Sequence, residues 1–383
     1  MSEDVERSYP TDLVSLAPRY KLGLLALVLL ALSPFWLRLL LGEGQGLLAV
    51  ITLTTALFFA MFAMSWDAVS GYTGQISFGH ALFFTVGGYG SALLNLELGV
   101  PPIAAVLLGT LLAAVAGILI GVPALRLEGP YLSLVTLVAP LILLQLFIVF
   151  SGVFGGELGL PSPDPLVSVS GFTGQTMADF YVALIVFVFI LAVLLAVTRS
   201  DAGSVFTAIR EDEQTVAAAG INPAKFKIFA FVLSAAVGGL AGAVFVHTVG
   251  KPQPSQLLVM SVSVEVIIAS IVGGMGTITG AAIGGLFFSL FREWLSGVST
   301  VVPLLNVQVA SLDLLLFSLI TLCLLFFLPG GVLRWGIERA RNVVGDEPNP
   351  VADGGQTPFE RTLDAYRDAL DTFGSLGGED RER

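Results

Sequence analysis

Three segments of this chain hold the residues whose types and spacing could support a function. The first, residues 71–94, combines several glycines with a glutamine, a serine and a histidine. The second, residues 200–226, is rich in charged side chains, and the third, residues 270–280, is again rich in glycine. Such residues suit two kinds of chemistry, the docking of a partner protein and the passage of a solute. The elements around them decide between these uses.

The charged segment, residues 200–226, predicts a surface on which a soluble partner docks. Apolar runs at 180–197 and 229–249 flank it, and a link between two such runs needs no organised polar stretch of this length. The residues expected to carry the docking are Arg210, Glu211, Asp212, Glu213, Ala217, Ala218, Ala219 and Gly220. The alternative is a plain amphipathic connector.

The same segment contains start and stop signals for two short helices. Ser200 or Asp201 suits the cap of a first helix, and Asp212 favours the start of a second. Gly220 and the Asn-Pro pair at 222–223 then end the second helix. The consecutive alanines before Gly220 leave a small-residue surface on which another protein can pack closely.

The two glycine-rich segments predict places where the backbone departs from helical geometry inside a membrane. Unwound backbone is tolerated there only where protein or a watery cavity surrounds it, and polar groups inside a membrane often mark a pathway. The candidate residues of a translocation path are Gly71, Gly74, Gln75, Ser77, His80, Glu265, Gly273, Gly274 and Gly276. Leucine at Gly74 or Gly276 is therefore expected to block such a path through its bulk.

Alternatives stay open for the polar members of this set. Gln75, Ser77 and His80 either line a pathway or satisfy one another and free backbone groups between helices. Glu265 lies among apolar residues and is either a pathway residue or a buried structural partner. The two glycine segments also share a spacing, with Gly71, Gly74, Ile76 and Ser77 in one and Gly273, Gly276, Ile278 and Thr279 in the other. Paired, glycine-interrupted segments often flank a translocation path.

The sequence contains no pattern for nucleotide binding, metal binding or catalysis. A phosphate-binding loop requires Gly-x-x-x-x-Gly-Lys followed by Ser or Thr, and the nearest match, Gly250-Lys251, has Pro252 after the lysine. The acidic residues, the histidines and the cysteine show no metal-ligand spacing. We therefore expect no catalytic residue, no metal and no cofactor, and a chain that is not an enzyme.

Composition predicts an all-α integral membrane protein. Hydrophobic residues make up 55% of the chain and charged residues only 12%, which is far from the balance of a soluble domain. A hydrocarbon core of about 30 Å needs about 20 apolar residues per helix. Runs of this kind lie at 23–41, 46–65, 74–94, 102–122, 130–150, 180–198, 228–249, 257–273, 277–292 and 311–328. They predict about ten transmembrane helices, of which 257–273 and 277–292 are broken or re-entrant.

The distribution of basic residues orients these helices. Cytoplasmic segments carry an excess of Lys and Arg. An N-terminus inside the cell places most basic residues there: Arg7, Arg19, Lys21, Arg126, Arg199, Arg210, Lys225, Lys227, Arg334, Arg339 and Arg341. Both termini and the charged segment are then cytoplasmic in a multi-pass protein of the plasma membrane. The 151–178 connection is then external.

Acidic ends frame the membrane part. Residues 1–22 form an N-terminal extension, 23–330 the transmembrane domain, and 331–383 a cytoplasmic tail. Within the tail, apolar residues recur along one face of an amphipathic helix at 357–373, which either docks on a partner protein or is a solvated appendage. A net charge of −11 argues against nucleic acid as a partner, because phosphate repels such a surface.

In this order the three segments, together with residues 129–137, resemble the membrane subunits of branched-chain amino acid ABC importers, the LivM-like permeases. The resemblance runs from about residue 50 to 330 and leaves out both ends. It implies the ABC importer permease fold, and it identifies the charged segment as the loop that couples to an ATPase. The partners it implies are two ABC ATPase subunits, a sister permease and an external solute-binding protein, with membrane lipid around the spans.

Other functions remain open on the sequence alone. Urea or short-chain amides are the alternative substrates, because urea permeases share these glycine motifs. A stand-alone secondary carrier would need no coupling segment, and it would be expected to hold more intramembrane carboxylates than Glu265 provides. A membrane scaffold without transport leaves the paired glycine segments unexplained.

Overall fold

A computed structural model describes residues 18–124, residues 131–297 and a few positions between 301 and 322. The helices are α1 (Pro18–Ala31), α2 (Ser33–Leu41), α3 (Glu43–Thr73), α4 (Ala81–Leu98), α5 (Pro102–Ala124), α6 (Tyr131–Val149), α7 (Ser151–Phe154), α8 (Phe172–Thr198), α9 (Asp201–Glu211), α10 (Glu213–Ala218), α11 (Pro223–Thr248), α12 (Pro254–Leu257), α13 (Met260–Gly274) and α14 (Ile278–Ser296). A 3-10 turn covers Gly156–Leu158, and β1 (Val301–Val302) pairs with β2 (Val307–Gln308) in a short antiparallel ladder. The predicted all-α class is confirmed for the described part, with this ladder as a small addition.

Several predicted features lie outside the described residues. They are the N-terminal extension up to residue 17, the 125–130 connection, most of the 311–328 run, and the tail at 331–383 with its amphipathic helix. The domain limit at residue 22 falls inside α1, and the limits at 22 and 330 stay predictions.

Within the described residues, six helices are long and apolar enough to cross a membrane. They are Glu43–Thr73, Pro102–Pro123, Tyr131–Val149, Phe172–Thr198, Pro223–Thr248 and Pro254–Gly274. The last of these ranges comprises α12 and α13 taken together. A seventh span is formed if α1 and α2, which meet at an angle of 57°, cross together. This number indicates a multi-pass membrane protein, whereas the predicted ten spans are not confirmed.

The limits predicted for the second and third spans are wrong. Helix α3 continues to Thr73 instead of ending near residue 65, and residues 74–80 are not helical. The extension is possible because polar side chains of α3 bond locally, as when the Thr73 hydroxyl donates to Val69 O at 2.8 Å. Gly74 ends the helix in the left-handed conformation with φ +71°, which suits a residue without Cβ.

The connection predicted at 151–178 is shorter than expected. Helix α8 begins at Phe172, six positions before the predicted end of the connection. Polar residues in the first turns of α8 hid the helix start from a hydropathy pattern. The Gln175 side chain folds back, accepting from Val169 N–H at 3.0 Å and donating to Val167 O at 3.0 Å, and so fixes the chain before the helix.

Helices α3 and α11 form the centre of the helix array. In an apolar stretch of 18 residues within each helix, 61% of the residues are buried in α3 and in α11. The buried share is 28% in α5, 22% in α6 and 33% in α8. Glycines allow the central helices to approach one another closely. A Cβ built on Gly87 of α4 would lie 2.1 Å from the carbonyl oxygen of Gly239 in α11.

Candidate coupling and pathway site

Helices α9 and α10 form where the sequence predicts them. Asp212 caps α10, because its Oδ1 accepts from the backbone N–H groups of Gln214 at 2.9 Å and Thr215 at 3.1 Å. Ser200 occupies the N-cap position of α9, although its hydroxyl donates to Val197 O at 2.7 Å and makes no capping bond. The predicted two-helix structure of the charged segment is therefore confirmed.

The cap of α10 depends on the charge of Asp212. The hydrogen bond from the Thr215 hydroxyl is the largest of the effects that hold the pKa of Asp212 below its usual value, and backbone N–H groups act in the same direction. A folded pKa below the unfolded one means that the cap stabilises the helix above the unfolded pKa. This contribution is lost as pH falls through the folded pKa.

We expect Asp212→Ala to speed amide hydrogen exchange at Gln214 and Thr215 at neutral pH, because both N–H groups lose their acceptor. The wild-type chain should lose the same protection, taken relative to the intrinsic exchange rate at each pH, once acid protonates Asp212. Glu211→Ala, which removes a neighbouring exposed acid, is the control and should leave these amides protected. Equal protection in Asp212→Ala and wild type would show that the cap does not hold α10.

Apolar side chains anchor the charged segment to the helix array. Phe206 and Ile209 of α9 and Val216 of α10 are buried, with exposed fractions of 1%, 4% and 6%. The Phe206 ring centroid lies 6.4 Å from that of Phe226 and 6.0 Å from that of Phe229 in α11. The segment therefore has a fixed inner face.

The outer face of the charged segment consists of small, exposed side chains at the end of α10. Ala217, Ala218 and Ala219 are all exposed, as the sequence predicts for a docking surface. Beside them, Glu213 accepts from the Lys227 ammonium at 2.8 Å, and this ion pair ties the start of α10 to α11. A partner that packs on the alanines would meet a surface that this ion pair and the buried Val216 fix to the helix array.

Arg210 connects the charged segment to both glycine segments. Its Nη1 donates to the carbonyl oxygen of Gly71, near the end of α3, at 2.8 Å. A Cβ built on Gly276 would lie 2.6 Å from the same Nη1, and a Cβ on Gly74 would lie 3.4 Å from Arg210 Cγ. Arg210, Gly71, Gly74 and Gly276 therefore meet at one place, which we call the glycine junction.

Asp67 belongs to the same junction and is absent from the residues predicted. It lies on α3 one turn before Gly71, is fully buried, and its Oδ1 accepts from the backbone N–H of Gly276 at 2.7 Å. Its Oδ2 has no hydrogen-bond partner within the described part of the chain. In the sequence Asp67 lies just after the predicted 46–65 run, whereas Glu265 lies within the 257–273 run and was singled out for that reason.

The polar residues of the 74–80 segment turn back into the helix array. His80 is fully buried, and its Nε2 lies 2.7 Å from the Ser65 hydroxyl and 3.0 Å from the Ser234 hydroxyl. Ser77 is buried too, and its Oγ has no hydrogen-bond partner within residues 18–124 and 131–297. Gln75 is only partly buried. The partners of His80 Nε2 are thus serines of α3 and α11 and not Gln75 or Ser77, and both predicted alternatives for the three residues stay open.

Glu265 lies apart from the glycine junction and has a partner. Its Oε2 accepts from Arg292 Nη1 at 2.7 Å, which ties α13 to α14, and its side chain is 5% exposed. These contacts favour the structural alternative for Glu265. Gly273, also among the candidates, packs against α14, where an added Cβ would lie 2.0 Å from Gly280 O. Gly274, with φ +124°, ends α13 beside it.

A second polar network lies at the opposite end of α11. His247 is buried, with its Nε2 2.7 Å from the Ser91 hydroxyl and its Nδ1 2.6 Å from Asp164 O. Asn95 Oδ1 accepts from the Asp164 N–H at 2.8 Å. These bonds hold the 159–171 loop to α4 and α11. The burial of His247 depends on loop contacts that the sequence does not show.

Comparison with known proteins identifies relatives of this architecture. The family model for the branched-chain amino acid transport system permease component matches residues 48–327. The LivM high-affinity branched-chain amino acid transport permease of Escherichia coli K12 is 29% identical over 299 residues, covering 72% of this chain and 68% of that protein.

Two further relatives extend the comparison. The probable LivM permease of Methanocaldococcus jannaschii is 24% identical over 331 residues, covering 75% of this chain and 93% of that protein. The LivH permease of Escherichia coli K12 is 24% identical over 291 residues, covering 72% of this chain and 91% of that protein. Because the family model covers more than half of the 383 residues, including all three segments that drew attention in the sequence, the chain belongs to the family of branched-chain amino acid transport system permease components.

Proposed function

We propose that this chain is the membrane-spanning permease subunit of an ATP-driven ABC importer for branched-chain, hydrophobic amino acids. The contact between Arg210 and Gly71 O carries the proposal, because it joins the exposed charged segment to the glycine segments within the helix array. ATP hydrolysis in partner subunits would move the charged segment. The junction gives that movement a direct route to α3 and to the 275–277 turn.

The proposed complex contains a sister permease, two ABC ATPase subunits and an external solute-binding protein. The exposed alanines of α10 support docking of an ATPase on the charged segment. The similarity to both LivM and LivH, two permeases of one bacterium, supports a sister permease. The loop held by His247 and Asn95 at the opposite end supports an external face on which a binding protein sits.

The proposed location is the cell membrane, with both termini in the cytoplasm. Helices α8 and α11 place the charged segment at the same end of the array as the end of α3, and the basic residues of that segment support a cytoplasmic position. The substrate class rests on the names of the relatives. Uptake of leucine, isoleucine and valine, compared with uptake of urea, by the reconstituted complex separates the proposed substrate from the alternative.

We expect the double charge reversal Arg210→Glu with Glu213→Lys to uncouple ATP hydrolysis from uptake in the reconstituted complex. The first change replaces the donor to Gly71 O with an anion, and the second sets a lysine against Lys227. Uptake should fall by about tenfold or more, the effect of losing one charge-assisted bond. Membrane insertion should not change.

The matched control reverses an exposed ion pair at the opposite end of the array, Arg38→Glu with Glu43→Arg, which preserves the attraction. This variant should transport and hydrolyse ATP like wild type. Unchanged uptake and unchanged stimulated ATPase activity in the Arg210 and Glu213 variant would show that the charged segment is not the coupling site.

A further inference from the structure

We propose that Asp67 is a positioning residue that fixes the 275–277 turn to α3 and thereby builds the seat into which Arg210 fits. For its effect on coupling this inference rests on the proposed function, and for the seat itself it rests on geometry alone. The hydrogen bond between Gly276 N–H and Asp67 joins distant parts of the chain, since the two residues are 209 positions apart in the sequence.

Asp67 is a buried acidic residue of α3. A carboxylate held away from water in an apolar core is unfavourable unless hydrogen bonds compensate for its lost hydration. Asp67 is fully buried, and its hydrogen bond from Gly276 N–H at 2.7 Å is short. A leucine or an alanine would suit α3 better if nothing depended on that bond. The position of the turn therefore depends on Asp67.

The 275–277 turn has a sharply bent backbone. Gly274 has φ +124° and Gly276 has φ +79°, and together they turn the chain sharply between α13 and α14. In this conformation the Gly276 N–H points at Asp67. A Cβ built on Gly71 would lie 2.0 Å from Asp67 Oδ1 and 2.6 Å from Gly276 N. Only a glycine at position 71 lets α3 and the turn approach this closely.

Arg210 lies against both Gly71 and the 275–277 turn. Its Nη1 donates to Gly71 O, four residues after Asp67 on α3, and lies 2.6 Å from where a Gly276 Cβ would be. Arg210 and Asp67 thus contact the same two glycines, one from the charged segment and the other from within α3. Without Asp67, the 275–277 turn loses its hydrogen bond to α3 and can move away from it. Arg210 then loses one side of the site into which it fits.

The test measures the distance between the charged segment and α14 in the purified full-length chain in nanodiscs. Spin labels at Ala218 and Thr279, both exposed, report this distance by pulsed electron resonance in a Cys323→Ser background. We expect a narrow distribution in wild type and a broad one in Asp67→Ala. The displaced population should rise by roughly tenfold, the weight of one hydrogen bond to a charged group. Asp67→Asn, which keeps an acceptor oxygen but not the charge, should lie between the two.

Two controls isolate the seat. Asp179→Asn removes a carboxylate that accepts from Gln175 within α8, far from the junction, and should leave the distribution narrow. Labels at Glu97 and Leu158, both exposed at the opposite end, should report no change in any variant. If Asp67→Ala does not fold, Asp67→Asn decides the outcome. A distribution in Asp67→Ala as narrow as in wild type overturns the inference, and so does an equally narrow one in Asp67→Asn where that variant decides.

The functional consequence is measured separately in the reconstituted complex. Asp67→Asn should lower the amount of substrate moved per ATP hydrolysed while basal ATP hydrolysis persists. The distance measurement needs neither ATPase nor substrate. A wild-type complex that moves no leucine would therefore refute the proposed substrate, while broadening in the Asp67 variants would still support the seat.

Discussion

Gly276→Ala is expected to reduce substrate uptake by the reconstituted complex by about tenfold or more, and Gly276→Leu to abolish it. An added Cβ at this position would lie 2.6 Å from Arg210 Nη1 and 3.2 Å from Gly71 O. The first of these atoms is the end of a flexible side chain, so the protein relieves the clash by moving Arg210 away. The hydrogen bond from Arg210 to Gly71 O is then lost, although the helices stay packed. Radiolabelled substrate uptake and ATP hydrolysis measure the effect.

Gly74→Ala provides the matched control for this prediction. Gly74 and Gly276 have similar positive φ angles of +71° and +79°, so alanine strains the backbone equally at both positions, by about 1–2 kcal/mol. A Cβ on Gly74, however, would lie 3.4 Å from Arg210 Cγ, an ordinary contact. The contacts thus separate two glycines from which the sequence predicts equal effects. Equal losses of uptake in both alanine variants would assign the defect to strain and contradict a role for Arg210 displacement.

Much of the charged segment could be predicted because its signals are local. Asp212 caps the helix that begins at the next residue, and Gly220 adopts φ +84° just after α10 ends. Capping residues act within three or four positions, so a single sequence contains all the information that they need. The exposure of the alanines follows in the same way from the short spacing to buried Val216.

The glycine junction could be predicted only in part because its contacts cross the chain. The sequence indicated Gly71, Gly74 and Gly276 through a shared spacing, and the structure gives the last two similar left-handed backbones. Asp67 escaped because its partner is a backbone N–H far along the chain, which no side-chain pattern reveals. The same reason applies to Glu265, because its contact with Arg292, which favours the structural alternative, lies on another helix.

The span limits failed for a different physical reason. A hydropathy pattern sums side-chain transfer energies and takes no account of backbone hydrogen bonds. Helix α3 continues through polar residues whose side chains bond locally, as the Thr73 hydroxyl does to Val69 O within the same helix. The backbone then leaves helical geometry at Gly74, where the apolar pattern of the next run had already begun.

Ala218→Trp is expected to abolish stable association between this chain and the ATPase subunits proposed above. Ala218 is exposed and lies two residues from buried Val216, so at 3.6 residues per turn it faces almost directly away from the helix array. An indole at this position would hold a partner's surface away from the small-residue face by several ångströms. Close packing at an interface core is as dense as in a protein interior, and such a protrusion is not accommodated. Affinity purification of the tagged chain, followed by quantification of the bound ATPase, measures the loss.

Leu158→Trp is the control for this experiment, because Leu158 is 75% exposed at the opposite end of the helix array. It adds the same indole to the surface and should retain the ATPases in full. Since Ala218 and Leu158 are both exposed, both variants should insert and elute like wild type on size exclusion. ATPases retained equally by Ala218→Trp and Leu158→Trp would place the docking surface elsewhere and remove the main physical support for the coupling role of α10.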